Sequence, residues 1–315
     1  MKIRIFFHDK CFDGTASAAL FSRFYRERIR PDAKFQFSGL VHRAGALFDE
    51  QDFDGDENVI VDFKYSPSPK IGWWFDHHQS AFLTPEDAEH YRKGDKSHKF
   101  YDPDFRSCTK FLDKIAQEKF GFDPAPVGEL IEWADIVDGA QFSSPEMAVE
   151  MAAPALKLTM VIESTNDPGF LPRLIPLLVS EPLAKVIEEP FVAALIPPLM
   201  ERHGKSIDIL RQKSECKNKT IYFDVTEIDG LVLAQDHLFR RHGIRPRGIQ
   251  QVHPLLPAPR FGLQRGAEQQ QFQGQGRRGF ESLDQGAEHG QPGQNLRAIW
   301  WRWTRPRGRY LLPSR

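Results

Sequence analysis

Three short runs rich in β-branched and aromatic residues near the start of this chain each end in an aspartate or a histidine. The runs cover residues 2–7, 59–61 and 71–75. The residues at their ends are, in chain order, His8, Asp62 and the sequence Asp76-His77-His78. Runs of this length that are rich in β-branched and aromatic residues predict buried strands, and open α/β sheets bind ligands at the carboxyl ends of their strands. We therefore expect these polar side chains to meet at one edge of a sheet.

The segments between the runs predict an α/β fold. Helical patterns cover about residues 15–30, 107–120 (with Ser107 as a cap) and 126–133, and a further strand pattern covers residues 35–40. Strands that alternate with helices favour a mainly parallel sheet with helices on both faces. Residues 79–104 are polar, so we expect an irregular connection there and place His90 and His98 on the surface.

Composition predicts four parts along the chain. Residues 1–145 form the first domain, residues 146–215 form a helical segment that completes it, residues 216–242 begin a second α/β domain, and residues 243–315 form a tail. The tail is basic, because it has 12 arginines, no lysine and 4 acidic residues, whereas the remainder has 30 basic and 39 acidic residues. An acidic body argues against strong non-specific binding to duplex nucleic acid.

Other features favour the cytoplasm. The three cysteines, Cys11, Cys108 and Cys216, are widely spaced and odd in number, which argues against a disulfide framework. No run approaches the roughly 18 consecutive apolar residues of a membrane span. The first eight residues lack the pattern of a signal peptide.

The residues at the strand ends suit divalent cations. Hard cations prefer carboxylate oxygens, and borderline cations such as Mn²⁺ also accept imidazole. Two ions about 3.5–4 Å apart can hold a phosphoryl group and activate a water. Each aspartate taken alone is better explained as a helix cap or a turn residue, and the two adjacent histidines taken alone as part of a surface loop. Recurrence at successive strand ends favours the metal site.

The chain resembles the DHH phosphoesterase superfamily through four motifs in the expected order. They are HDKCFDG at residues 8–14, VD at 61–62, DHH at 76–78 and ADIVD at 134–138. The resemblance covers residues 1 to about 142. It implies a hydrolase that uses two Mn²⁺ ions, with Mg²⁺ or Co²⁺ as alternatives, and it points to the branch related to nanoRNases and exopolyphosphatases.

The resemblance also implies roles for individual residues. The implied metal ligands are His8, Asp13, Asp62, His77 and Asp135, with Asp138 as the alternative to Asp135. Asp62 would bridge the two ions. His78 would face the substrate phosphate, and Asp76 would orient the neighbouring imidazole. Cys11 stands where the family usually has an acid. A buried structural role for Cys11 ranks first, and the alternatives are a thiolate ligand or replacement of the acid by Asp9 or a water.

The tail departs from the family pattern. Members of the nucleotide-cleaving branch carry a second domain with a glycine run followed by histidine, which grips the substrate phosphate. Residues 299–304 (IWWRWT), read one base later at the DNA level, can encode YGGGGH. We therefore predict that residues 243–315 are frameshifted and poorly ordered; the alternative is an Arg- and Gln-rich tail that binds RNA.

The sequence thus predicts a phosphoesterase that hydrolyses phosphodiester bonds of short single-stranded oligonucleotides or nucleotides, through water activated by two metal ions. We expect turnover to be impaired by loss of the glycine-rich clamp. The alternatives are an exopolyphosphatase or pyrophosphatase, and a degenerate, non-catalytic metal-binding protein. Metal stoichiometry distinguishes the last of these. The sequence does not predict the oligomeric state.

Overall fold

The computed structural model describes residues 1–42, 47–213, 215–217 and 220–222. The chain divides into two compact units, Met1–Met200 and Glu201–Arg315. The first unit contains a five-stranded sheet with strands β1 (Lys2–His8), β2 (Lys34–Leu40), β3 (Glu57–Val61), β4 (Ile71–Asp76) and β5 (Lys99–Tyr101). Every pairing in this sheet is parallel, and the strand order is β2-β1-β3-β4-β5. The predicted α/β fold with a parallel sheet is confirmed.

Helices connect and follow the strands. They are α1 (Phe12–Arg28), α2 (Pro85–Lys93), α3 (Cys108–Phe120), α4 (Gly128–Asp138), α5 (Pro145–Glu150), α6 (Pro154–Ser164), α7 (Phe170–Leu178), α8 (Leu183–Val186), α9 (Pro190–Ala193) and α10 (Ile196–Lys213), with a 3₁₀ turn at Ala125–Val127. Ser107 caps α3 as predicted, because its side chain accepts a hydrogen bond from the Lys110 backbone N–H. Gly121 ends this helix in a left-handed conformation, with φ at 63°, which a glycine adopts without strain.

Alternate residues of the strands pack into two hydrophobic cores, one on each face of the sheet. On one face, Ile5, Val59 and Trp73 belong to the large core that also contains the buried sides of α1, α3, α4, α6 and α7. On the other face, Ile60 and Trp74 pack in a smaller core formed mainly by loop residues, with Tyr91 of α2 against it. The central strands β3 and β4 are therefore buried on both faces, as their apolar sequences require.

Two predicted boundaries differ from the structure. Residues 79–104 are not irregular throughout, since they contain α2 and β5. His90 is exposed as expected, whereas His98 is half-buried and stacks on Trp73 at 3.9 Å. The helix predicted at residues 126–133 corresponds to α4, which continues to Asp138.

The described part of the second unit is short. It comprises the end of α10 and an antiparallel pair of strands, β6 (Glu215–Lys217) and β7 (Thr220–Tyr222). The predictions for residues 243–315, including the frameshift, lie outside the described residues. Among the described residues, no helix combines the length and the apolar character needed to span a membrane.

Candidate metal centre

The strand register places the polar residues of three motifs in one row. The last facing residues of the three central strands are Phe7, Val61 and Phe75. The residues that come next are His8, Asp62 and Asp76. These three therefore lie side by side at the carboxyl edge of β1, β3 and β4, beside the point where the chain order reverses across the sheet.

The loop after β1 brings the rest of the first motif to this edge. Cys11 is the N-cap of α1, and its Sγ accepts a hydrogen bond from the Gly14 backbone N–H at 3.5 Å. A Cβ atom on Gly14 would lie 2.4 Å from the carbonyl oxygen of His8 and 3.1 Å from Asp62 Oδ2. The absence of a side chain at residue 14 thus lets α1 begin directly against His8 and Asp62.

Asp13 lies between the N-termini of two helices. It belongs to the first turn of α1, and its carboxylate accepts hydrogen bonds from the backbone N–H groups of Cys108 at 2.7 Å and Thr109 at 3.0 Å, at the start of α3. The positive ends of helix dipoles stabilise a carboxylate in this position. Asp13 Oδ2 also lies 3.6 Å from His77 Nε2.

Asp62 is held at the centre of the cluster by an unusual backbone conformation. Its φ is 55°, in the left-handed region that costs a residue with a side chain about 1–2 kcal/mol. The Asp62 backbone N–H donates to the Phe75 carbonyl at 2.9 Å, which ties this conformation to β4. The buried carboxylate lies 3.4 Å from His77 Nε2 and 3.5 Å from His8 Nδ1.

The DHH motif orients its own two imidazoles. Asp76 Oδ1 accepts the backbone N–H groups of His77 and His78 at 2.8 and 3.2 Å, and lies 2.6 Å from His78 Nδ1. Burial opposes the charged form of His78, but Asp76 outweighs it and raises the pKa of His78 to about 9. His77 Nδ1 lies 3.0 Å from the carbonyl oxygen of Phe105, to which it donates, so Nε2 is the nitrogen that faces the carboxylates.

The potential metal donors form three overlapping groups. Within each group the donor atoms lie within 4.8 Å of one another, and the groups are His8-Cys11-Asp62, Asp62-His77-His78 and Asp13-His77-Asp138. In the described residues, His8 Nδ1, both carboxylate oxygens of Asp62 and His77 Nε2 are buried and have no hydrogen-bond partner. Because buried polar atoms are normally satisfied, these atoms fit a site that divalent cations complete.

The charges in the cluster also fit a cation. Burial and the charges of Asp62 and Asp138 raise the pKa of Asp13 well above its usual value. Burial opposes the charged form of His77, but Asp62, Asp138 and Asp13 raise the pKa of His77 overall. Burial likewise opposes ionisation of Asp62, but His77 and His8 lower its pKa overall. Without a cation the raised pKa values of Asp13 and His77 favour their protonated forms, and a divalent ion would take the place of those protons.

Two candidates lie outside the three groups. Asp135 accepts a hydrogen bond from the Ser107 hydroxyl at 3.4 Å, whereas Asp138 Oδ2 lies 3.5 Å from His77 Nε2. Asp9 packs over Gly39 of β2, where an added Cβ would lie 2.7 Å from Asp9 Cγ, and it accepts the Lys10 backbone N–H at 2.9 Å. Of the two fourth-motif aspartates, the structure therefore brings Asp138 to the cluster.

His42 is a residue of this edge that the sequence interpretation did not single out. Its ring stacks on Phe63 at 4.6 Å and meets the His8 ring edge-on at 4.9 Å. Burial and the nearby His8 lower the pKa of His42 to about 4. The signal was present, because His42 follows the strand pattern at residues 35–40 as the other candidates follow theirs.

Comparisons with known proteins give a likeness of fold. Neither a protein-family model nor a curated protein matches the chain. Among solved structures, the pGpG-specific phosphodiesterase PggH from Vibrio cholerae matches with a TM-score of 0.52 and 15% identity, over 73% of this chain and 70% of that protein. An exopolyphosphatase-related protein from Bacteroides fragilis matches with a TM-score of 0.37 and 12% identity, over 70% of this chain and 64% of that protein.

The likeness to PggH and the order of the four motifs along the sheet point to the same architecture. The parallel sheet presents the second and third motifs at neighbouring strand ends, while α1 and α4 bring the first and fourth motifs to that edge. The chain shares the α/β fold of PggH, and the motifs that carry its resemblance to the DHH phosphoesterases meet at one edge of that fold.

Proposed function

We propose that this protein is a metal-dependent phosphoesterase that hydrolyses phosphodiester bonds of short single-stranded oligonucleotides or nucleotides. The observation that carries the proposal is the convergence of buried, unsatisfied carboxylate and imidazole atoms at one sheet edge. The likeness of fold to a pGpG-specific phosphodiesterase supports a nucleotide substrate.

The proposed site has two positions for cations, and Asp62 would contribute to both. His8 and Asp62 would hold the first ion, and Asp13, Asp62, His77 and Asp138 would hold the second. Bound divalent ions would supply Lewis-acid stabilisation of the phosphoryl oxygens and a nucleophilic water, with Mn²⁺ the expected metal. The protein supplies rigid placement, because Asp62 is fixed by β3 and β4 and Asp13 by the start of α3.

His78 is the residue proposed to meet the substrate. Its side chain is 34% exposed, whereas that of the neighbouring His77 is 7% exposed. Asp76 holds Nδ1 of His78, which leaves Nε2 to donate to a phosphate oxygen. A donor fixed in this way before the substrate binds stabilises the charge that develops on the phosphoryl group.

The lysines near the cluster favour a diester over a more highly charged polyphosphate. Lys10 donates to the side chain of Asn166, and Lys64 donates to the carbonyl oxygen of Ser80. Both ammonium groups therefore hold loops together. A short nucleotide diester carries few phosphate charges, whereas a polyphosphate chain carries about one on each of its many directly linked phosphates and needs more cationic partners.

The test is a substrate panel with metal-reconstituted protein. The chain is stripped with chelator, supplied with Mn²⁺, and assayed with pGpG, a nitrophenyl phosphodiester, pyrophosphate and polyphosphate. We expect Mn²⁺-dependent cleavage of the diesters, weak in this chain and stronger in a version whose residues 243–315 are restored to the other reading frame.

The matched variants are Asp62→Asn, in the cluster, and Asp95→Asn, in an exposed turn where its partner is Ser97. Asp62→Asn should abolish cleavage, and Asp95→Asn should leave it unchanged. Cleavage of polyphosphate alone would reject the diester assignment. Two bound metal ions without cleavage of any substrate, even in the frame-restored protein, would indicate a non-catalytic metal-binding protein.

A further inference from the structure

The sulfur of Cys11 lies among the donors of the first metal position. A donor atom from each of His8, Cys11 and Asp62 lies within 4.8 Å of the other two. Cys11 and Asp62 are almost fully buried, with 3% and 1% of their surfaces exposed. The sulfur therefore has little access to solvent.

The neighbours of this sulfur point to a ligand between them. Both carboxylate oxygens of Asp62 and Nδ1 of His8 are buried without a hydrogen-bond partner in the described residues. His8 Nδ1 lies 3.5 Å from Asp62 Oδ2, which is long for a hydrogen bond but suits two ligands of one ion. A cation at this point would satisfy the imidazole and carboxylate atoms together and would have the sulfur within reach.

The position of Cys11 at the start of α1 is compatible with a metal-bound sulfur. Cys11 is the N-cap of α1, and its Sγ accepts the Gly14 backbone N–H. A helix N-terminus stabilises a thiolate through its unpaired N–H groups and its dipole. The cap and a metal bond are compatible, because a thiolate sulfur has lone pairs for both.

The two metal positions consequently differ in chemistry. The first offers nitrogen, sulfur and oxygen from His8, Cys11 and Asp62, whereas the second, around His77, has three carboxylates and one imidazole. Thiolate ligands select borderline or softer ions, while carboxylates suit Mn²⁺ and Mg²⁺. Resting on the phosphoesterase function proposed above, we propose that Cys11 is a thiolate ligand and that the first position prefers Zn²⁺, Co²⁺ or Fe²⁺ while the second prefers Mn²⁺ or Mg²⁺.

Cys11→Asp is the informative variant. Aspartate is a good helix N-cap, so this change keeps the start of α1 and replaces sulfur by oxygen. The control removes the other two thiols with Cys108→Ala and Cys216→Ser and retains Cys11. The side chain of Cys108 donates to the Phe75 carbonyl, and its contribution to Asp13 comes from the backbone, so the control retains the Asp13 contacts.

Metal-free full-length protein is titrated with Co²⁺ and examined by absorption spectroscopy. We expect a near-ultraviolet thiolate-to-cobalt band that saturates at one ion per chain, persists in the control and is absent in Cys11→Asp. X-ray absorption of the Zn²⁺ form should show one sulfur at about 2.3 Å. Competition between Zn²⁺ and Mn²⁺, measured by elemental analysis, should shift about tenfold or more towards Mn²⁺ in Cys11→Asp.

The outcomes separate this inference from the proposed function. Zn²⁺ bound without a sulfur neighbour, or a Co²⁺ band that survives Cys11→Asp, would overturn the role of Cys11 while leaving the phosphoesterase proposal intact. Failure to bind any divalent metal would remove both proposals. A sulfur–metal bond in a protein that cleaves no phosphoester would support the ligand and reject the activity.

Discussion

The sharpest test of the site compares two aspartates on one helix. Asp135 and Asp138 both belong to α4, but Asp138 Oδ2 lies 3.5 Å from His77 Nε2 while Asp135 accepts a hydrogen bond from Ser107. Replacing either residue with asparagine removes one negative charge and preserves the shape of the side chain. The two variants therefore differ in where the charge is lost, and only Asp138→Asn removes a proposed metal ligand.

In the metal-free protein, the two main effects of Asp138→Asn oppose each other. The variant loses attraction to a protonated His77 at 3.5 Å, worth about 5 kcal/mol at an effective dielectric constant of about 20. It also removes the charge of Asp138 that helps to raise the pKa of Asp13, together with the cost of partly burying that charge. Because these effects oppose each other, we expect the free energy of unfolding without metal to change by less than about 2.7 kcal/mol, the amount that bound metal supplies.

The unfolding midpoints of the two variants should differ once metal is added. A metal at about 100 times its dissociation constant stabilises the folded state by about 2.7 kcal/mol. For a folded unit of this size, that raises the unfolding midpoint by about 5–10 °C. Loss of Asp138 should weaken binding by about 100-fold or more, since even indirect partners of a metal account for about 10–100-fold. Asp138→Asn should then show almost no shift, and Asp135→Asn should respond like the unmodified chain.

The assay is thermal unfolding with and without Mn²⁺ at one fixed concentration, beside calorimetric titration of the same three proteins. Far-ultraviolet circular dichroism checks that each variant is folded before metal is added. If Asp135→Asn lost the metal response and Asp138→Asn kept it, the placement of α4 against His77 would be refuted. Equal loss in both variants would mean that the charge of the helix end, rather than a specific ligand, governs binding.

Further predictions follow from single contacts. Gly14→Ala should weaken Mn²⁺ binding and lower the unfolding midpoint in a thermal scan, because its Cβ would lie 2.4 Å from the carbonyl oxygen of His8. The control is Gly128→Ala, whose Cβ would have no neighbour within 4 Å. This control should leave the unfolding midpoint unchanged or raise it slightly. His78→Asn should lower turnover by about 100-fold while calorimetric Mn²⁺ affinity stays within a few-fold, and a parallel loss of both would argue against a substrate-facing role. Restoring the reading frame of residues 243–315 should raise diester turnover without changing Mn²⁺ stoichiometry, and equal activity in both proteins would count against the predicted clamp.

The sequence predicted the central strands because their composition leaves few alternatives. Val59–Val61 and the run that includes Trp73 and Trp74 are apolar on both faces of the strand, which only a sheet covered on both sides can bury. The prediction of an irregular connection at residues 79–104 was wrong because α2 and β5 are short and their outer faces are polar. A readable signal existed, since Thr84 and Asp87 form a capping box at the start of α2.

The choice between Asp135 and Asp138 depended on where α4 ends. A helix predicted to end at residue 133 includes neither aspartate, so it does not show which of them lies on the buried face. The observed α4 continues to Asp138 and includes both. The buried residues of α4 are Leu130, Ile131 and Ala134. At about 3.6 residues per turn, residue 138 continues the stripe that passes through Leu130 and Ala134, and residue 135 lies further round the helix. The helical periodicity therefore places residue 138 closer than residue 135 to the buried face, once the helix is extended to residue 138.

The sequence could not predict the contact between distant segments that positions the Asp13 carboxylate. Its carboxylate is bound by the backbone of Cys108 and Thr109, more than 90 positions away, and backbone donors leave no residue signature in a sequence. The same contact explains how a buried acid is tolerated beside Asp62 without a cation, because the start of α3 offsets part of the repulsion. Metal binding would then complete a site that the sheet and two helix N-termini have already assembled, so we expect the first unit to fold without metal and to gain stability when metal binds.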